Sequence, residues 1–274
     1  NNHSVEYFEH NQESGVLQPI FVESLDEGIV DIAILADSNG VEHLAILSPN
    51  GLQLVDTSDK STELLELNTN SSVLASSGAL VAISEKSEAG PLVNITSIDS
   101  DLTISIPLDP RSSERIEDSI MNAGTILDFQ NSTIVDLVMD SNWLVATVDV
   151  GPFNRTVLVD TLSINQTLIS NPRWDSSSPS IGDGRVAFLQ VTRDDILSTA
   201  ISSQRNNDVY VHELKSGETK QYTFDEEVSQ TQPQILFERL AWIEINDDGE
   251  KELQLFSFTD TIEPRNSLLL QASI

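Results

Sequence analysis

Two eleven-residue stretches near the C-terminal end of the chain share one pattern. Residues 178–188 read SPSIGDGRVAF and residues 232–242 read QPQILFERLAW. Aligned without a gap, Pro179 falls on Pro233, Ile181 on Ile235, Arg185 on Arg239, Ala187 on Ala241 and Phe188 on Trp242. A proline cannot donate to a sheet ladder, so a proline two residues ahead of an isoleucine marks a chain entering a sheet from a loop. The turn that follows, with its basic, small and aromatic residues, predicts an inner strand. A chain built from such units must stack them, because one unit cannot bury both of its own apolar faces.

Elsewhere the same grammar is fainter. Helical periodicity is almost absent, and short apolar runs are separated by turn chemistry such as DSNG at 37–40 and PNG at 49–51. Residues 1–15 are expected to be a flexible leader, and 16–22 a strand that Pro19 confines to an edge or a bulge. Five units of up to four strands follow, at about 29–68, 73–108, 126–171, 175–225 and 230–274, with a polar surface loop at 109–125. The last strand of the fifth unit is expected near 267–273. A mid-strand alanine recurs at Ala45, Ala82, Ala146, Ala187 and Ala241, spaced 37, 64, 41 and 54 residues apart. Periods of about 40 to 50 residues with four strands each are those of β-propellers. The expected fold is therefore all-β, a propeller of five or six blades; the alternative is a pair of β-sandwiches divided at 109–125.

The fourth and fifth units, SSPSIGDGRVAF followed by DVYVHELKSGETKQYT, and TQPQILFERLAWIE, resemble the WD-like propeller repeats of the TolB type over about residues 175–245. The chain departs from that pattern at His212-Glu213 and in having GDG at 182–184 for the usual SPDG turn. The resemblance implies an extracytoplasmic propeller used for protein contacts and carries no catalytic residues with it.

Composition narrows the partners. With 44 acidic and 14 basic residues the formal charge is −30. Such a surface repels phosphate backbones and anionic lipid, so neither nucleic acid nor direct membrane insertion is expected. In salty water that repulsion is screened within about 8 Å or less, which suits a marine or halophilic setting. No apolar run is long enough for a membrane helix, and the chain opens on NNHSVEY, which is expected of a processed or excised protein. There are no cysteines, which removes disulfides and thiolate metal sites. Six Asn-x-Ser/Thr sequons, at Asn2, Asn70, Asn94, Asn131, Asn154 and Asn165, are glycosylation candidates if the protein is exported.

Few residues nominate themselves for chemistry. Asp31 and Asp136 stand at matching places in IVDI and IVDL, and with Glu244 they are the carboxylates a polysaccharide hydrolase would use. The plainer reading is that such a repeated aspartate bonds the backbone of a neighbouring unit. Asp37 and Asn39, and Asp247 and Asp248, lie in turns that resemble fragments of calcium loops; neither turn has the full ligand run, and both read as hairpins. No cofactor is expected, with calcium the one ion to test. His212 lies mid-strand, where a packing role is the expectation. Trp174, in the loop NPRWD, is the expected exposed contact residue, and Arg185 and Arg239 are the expected salt bridges between blades. The function these features favour is a non-enzymatic, extracellular or cell-surface module that binds surface or secreted proteins or assembles with itself. The alternatives are a secreted polysaccharide hydrolase and a calcium-dependent glycan binder.

Overall fold

Runs of three to nine residues, most of them alternating or fully apolar and punctuated by Gly, Asn, Asp and Ser, form the strands of the described residues. The computed structural model describes residues 3–10, 17–25, 28–65, 71–100, 102–111, 127–191, 207–224, 228–246 and 248–259, the first two as backbone. The chain divides into two compact units, Asn1–Glu88 with Leu92–Pro107, and Ala89–Pro91 with Leu108–Ile274.

In the first unit, β1 (His3–His10) and β2 (Leu17–Leu25) form an antiparallel pair. Residues 3–10, expected within a leader, are thus a strand. The register slips where Phe8 meets Pro19 and Tyr7 meets Phe21, so the proline does sit at a bulge. Next come two four-stranded meanders. One comprises β3 (Asp31–Ala36), β4 (Glu42–Ser48), β5 (Gly51–Asp56) and β6 (Thr62–Leu65). The other comprises β7 (Leu74–Ser77), β8 (Leu80–Ser87), β9 (Gly90–Ser97) and β10 (Thr103–Pro107). They share a core of Leu35, Ala45, Leu47, Leu52, Leu54, Leu74, Val81 and Ile83. The first strands are also tied directly: Asp31 Oδ2 accepts the Leu74 amide at 2.8 Å, and Ser76 Oγ donates to the Ile34 carbonyl at 2.7 Å.

The second unit holds three meanders. The first is β11 (Thr133–Asp140), β12 (Trp143–Asp149), β13 (Asn154–Asp160) and β14 (Asn165–Leu168). The second is β15 (Asp175–Gly182), β16 (Arg185–Val191), β17 (Asn207–Glu213) and β18 (Thr219–Gln221). The third is β19 (Ser229–Leu236), β20 (Arg239–Ile245) and β21 (Lys251–Ser257). The fourth strand expected near 267–273, and most of the loop expected at 109–125, lie outside the described residues. Val145, Leu158, Ile169, Val186, Phe188 and Tyr210 fill one seam, and Ala187, Leu189, Val209, Val211, Ile235, Leu240 and Trp242 the next. Burying each Leu, Ile or Val side chain contributes about 1.5–3 kcal/mol, so these seams carry the unit. Each sheet is a run of consecutive strands, whereas a pair of sandwiches would need Greek-key crossings between sheets.

The repeat has a different geometry from the one its prolines suggest. Pro179 and Pro233 lie inside β15 and β19, each at a break in register, between Ser177 and Ser180 and between Thr231 and Gln234. The residue ahead of each proline, Ser178 or Gln232, has φ +52°. A bulge spares the ladder the missing donor, so the proline needs no loop. The five repeated alanines all lie in the second strand of their sheets. Ser180 Oγ accepts the Ile235 amide at 3.0 Å, and a Cβ on Gly182 would stand 3.2 Å from the Ile235 carbonyl oxygen, so the two copies meet through a side chain at Ser180 and backbone to backbone at Gly182. Arg185 pairs within its own sheet, with Glu213 at 2.9 Å and Asp183 at 3.0 Å. Its contact with the next sheet is a guanidinium 4.2 Å over the Phe258 ring, a cation–π contact where a salt bridge was expected. Arg239 is exposed.

His212 is buried in β17, with Nδ1 2.9 Å from Thr219 Oγ1. Burial pushes its pKa below the ordinary histidine value, and the charge of Glu213 offsets part of that. A histidine held neutral in the fold contributes fully above its unfolded pKa of about 6.5 and loses that contribution as pH falls toward the folded value. Melting curves between about pH 7.5 and about pH 5 should show the melting temperature dropping below about pH 6.5, with the drop reduced in His212→Gln.

Candidate functional site

The second strands β12 and β16 are buried at consecutive positions, so both faces of their sheets are covered. β20 is buried only at Leu240 and Trp242; Ala241 and Ile243 on its other face are half-exposed, and Leu253 beside them is exposed. Among the described residues, this second face of the last sheet stays open. At its end lies a cavity of about 580 Å³ lined by Leu236, Phe237, Glu238, Arg239, Ala241, Leu255, Ser257 and Thr259.

The turn that closes this cavity differs between the two copies of the repeat. In the preceding sheet the equivalent residues are Asp183, φ +49°, and Gly184, φ +72°, residues that suit a two-residue hairpin turn. Here the first position is Phe237, with φ +55° and 89% of its surface exposed. The left-handed region costs a side chain with a Cβ about 1–2 kcal/mol, and a bulky aromatic gains nothing there from the turn itself. Neither burial nor local geometry accounts for this phenylalanine. Its exposure was not legible in the sequence, although the alignment of FE on DG was a signal.

The residues nominated from the sequence are engaged elsewhere. Asp31 accepts its own strand's Ile32 amide at 2.9 Å as well as the Leu74 amide. Asp136 accepts the Leu137 amide at 2.9 Å. The two are out of step: Asp31 pairs with the residue two beyond Ala45, Asp136 with the residue one beyond Ala146, after a slip between Ile134 and Asp136. Glu244 accepts from the Trp242 indole at 3.2 Å and from Gln254 Nε2 at 2.9 Å. Asp37 accepts the Asn39 and Val41 amides at 2.9 and 2.7 Å, and the Val41 bond, foremost, holds its carboxyl below the usual carboxylate range. Asn39 donates its side chain to the same carboxylate at 3.4 Å. In the turn after β20, Asn246 Oδ1 accepts the Glu250 amide at 2.8 Å; Asp248 is exposed and Asp247 lies outside the described residues. Among the described residues, no three His, Asp or Glu side chains are grouped as a metal site requires.

Trp174 is half-buried against the seam of Val145, Phe188 and Tyr210, which corrects its expected exposure: a loop indole beside an open apolar seam gains more by folding in. Among the described residues, the one buried carboxylate is one the sequence did not mark. Asp208 accepts from Thr223 Oγ1 at 3.1 Å and Gln221 Nε2 at 3.0 Å, and Gln221 Oε1 accepts the Tyr210 hydroxyl at 3.0 Å. This network fixes β17 to the chain beyond it. Of the sequons, Asn2 and Asn70 lie outside the described residues; Asn94 is on β9, Asn131 ahead of β11, Asn154 on β13 and Asn165 on β14.

No family model matches the sequence, and no curated protein does. Solved structures do match. A TolB from Agrobacterium tumefaciens aligns at 12% identity and TM-score 0.51, over 99% of this chain and 89% of that one. The β-propeller domain of the Trilobed protease from Pyrococcus furiosus aligns at 10% identity and TM-score 0.56, over 96% and 79%. The Pan2 WD40 domain of Neurospora crassa aligns at 10% identity and TM-score 0.54, over 92% and 68%. At such identities the likeness is one of architecture, and it agrees with the consecutive four-stranded sheets: the chain is a β-propeller resembling TolB and WD40 proteins in fold.

Proposed function

We propose that this propeller is a non-enzymatic module for protein contacts, working outside the cytoplasm in saline surroundings, with its partner seated on the open face of the last sheet. The observation that carries the reading is Phe237: an aromatic in a left-handed turn, exposed at the rim of an apolar cavity, with Arg239 beside it. Residues held in such backbone conformations cluster at ligand-binding and other functional sites. Aromatic and arginine side chains are also the residues that contribute most at interfaces. Another surface or secreted protein, or a second copy of this chain, would meet an apolar anchor with one cation in an otherwise acidic setting. The propellers it resembles include TolB and WD40 proteins as well as a protease domain, so fold alone leaves catalysis open. The internal bonds of Asp31, Asp136 and Glu244 favour structural work for these carboxylates.

Four measurements test this. A photo-crosslinker placed at Phe237 in producing cells should give a discrete adduct heavier than the chain. One at Leu162, 77% exposed in the turn between β13 and β14, should give none. Equal labelling at both, or a crosslink back onto the same chain, removes the reading. Asp31→Ala should lower unfolding free energy in urea by about 1–3 kcal/mol, because it strands the Leu74 amide. Hydrolysis of any polysaccharide by the parent protein that is lost in Asp31→Asn, without loss of stability, would restore the enzyme. Between about 0.1 and about 1 M NaCl the screening length falls from about 10 to about 3 Å, so the melting temperature should rise with salt; a flat profile removes the saline setting.

A further inference from the structure

The seam-facing side of the last sheet changes character along its length. Residues paired across an antiparallel sheet share a face, so its cross-strand rows are Ile235, Leu240 and Phe256, then Trp242 and Gln254, then Gln230, Glu244 and Glu252. The first row is apolar and belongs to the seam with Leu189 and Val209. The last row sets two glutamates directly opposite each other, an arrangement of like charges that destabilises a sheet. Among the described residues, no Lys, Arg or His forms an ion pair with either.

The glutamines beside them supply an independent observation. Gln254 is 4% exposed and Gln230 is fully buried, and the side-chain carbonyl oxygen of each has no hydrogen-bond partner among the described residues. Their amide nitrogens are engaged: Gln254 Nε2 donates to Glu244 Oε2 at 2.9 Å, and Gln230 Nε2 to the Val228 carbonyl at 3.2 Å. Turning either amide over would only set its oxygen against another oxygen. The amide head of Gln254 therefore stays at the Glu244 carboxylate with its own oxygen unsatisfied. This end of the seam has acceptors in excess, and a cation is what they lack.

Glu244 is held ready for one. Its two oxygens accept Trp242 Nε1 at 3.2 Å and Gln254 Nε2 at 2.9 Å, which leaves a lone pair on each. Ligating carboxylates are held by outer hydrogen bonds of this kind. Carboxylate and amide oxygens suit a hard cation: calcium takes about six to eight oxygens, water included, in flexible geometry, whereas magnesium demands a near-ideal octahedron. Two carboxylates fall short of a cluster of three His, Asp or Glu side chains, and the amide oxygens make up the set.

We propose that Glu244, Glu252 and the side-chain oxygens of Gln254 and Gln230 bind one calcium ion at the polar end of the last seam. The ion neutralises the opposed glutamates, gives the buried oxygens their partner, and ties β19, β20 and β21 together. Glu252 is half-exposed and is the ligand nearest solvent, so the ion enters past it.

The test is calorimetric titration of the EDTA-treated full chain with calcium chloride at fixed ionic strength. One ion per chain should bind, with a dissociation constant of about 0.1–1 mM, and the melting temperature should rise. Terbium in place of calcium should luminesce when the indole is excited, and that emission should be lost in Trp242→Phe and displaced by calcium. Glu252→Gln keeps the size of a half-exposed side chain and should weaken binding about tenfold or more, while Asp37→Asn in the β3–β4 turn should leave it unchanged. The parent protein alone can overturn the proposal, by failing to bind calcium or by a melting temperature that rises equally with sodium chloride at the same ionic strength. Binding that survives Glu252→Gln at full strength, or indole-excited terbium emission that survives Trp242→Phe, overturns it as well.

Discussion

A short antiparallel meander has two apolar faces and can hide neither by itself. That constraint organises this chain. β12 and β16 are buried along consecutive residues, which only a sheet covered on both sides allows. Within each unit the covering is done by the next sheet. A seam of six or more buried side chains outweighs the few hydrogen bonds that cross it, since each such bond contributes about 1 kcal/mol net. The bonds have another task. Asp31 on the Leu74 amide, and Ser180 on the Ile235 amide, fix the register at which one sheet settles on the next.

Much of this was legible because packing leaves periodic traces. The alanines at Ala45, Ala82, Ala146 and Ala187 are fully buried in second strands, where a larger side chain would hold the sheets apart. Their recurrence could be read without a structure. What was not legible depends on contacts distant in sequence. The prolines of the repeat occupy bulges, and nothing local distinguishes a bulge from a strand's start. Trp174 looked free because the seam that receives it is built from segments distant in sequence, β12, β13, β16 and β17 among them. Arg155, the middle residue of a sequon, is fully buried: its guanidinium donates to the Pro110 and Pro172 carbonyls at 2.7 and 3.1 Å and lies 5.7 Å from the Phe129 ring. Of the candidate site, the carboxylates were visible and Phe237 was not, since an aromatic is ordinarily assigned to a core.

The same contacts sharpen the electrostatics. The chain has fourteen basic residues, and some of them are committed to the structure. Arg155 is enclosed, and Arg185 is held by Asp183, Glu213 and Phe258. Cations used to pin loops and seams do little to neutralise the exterior, so the outer surface is more acidic than the composition alone conveys. Salt then acts on the surface and leaves the pinned arginines largely unscreened.

The two copies of the repeat keep proline, isoleucine, arginine and alanine in common and differ at the hairpin between the first and second strands, Asp-Gly in one and Phe-Glu in the other. Strands are bound on two sides by their neighbours, but a two-residue hairpin answers only to its own backbone. The seams and the hairpin tip are thereby free to vary separately within one module. A lineage carrying this fold can change the residues at one tip without renegotiating the seams, and copies diverging in this way would retain their architecture long after their tips had ceased to be alike.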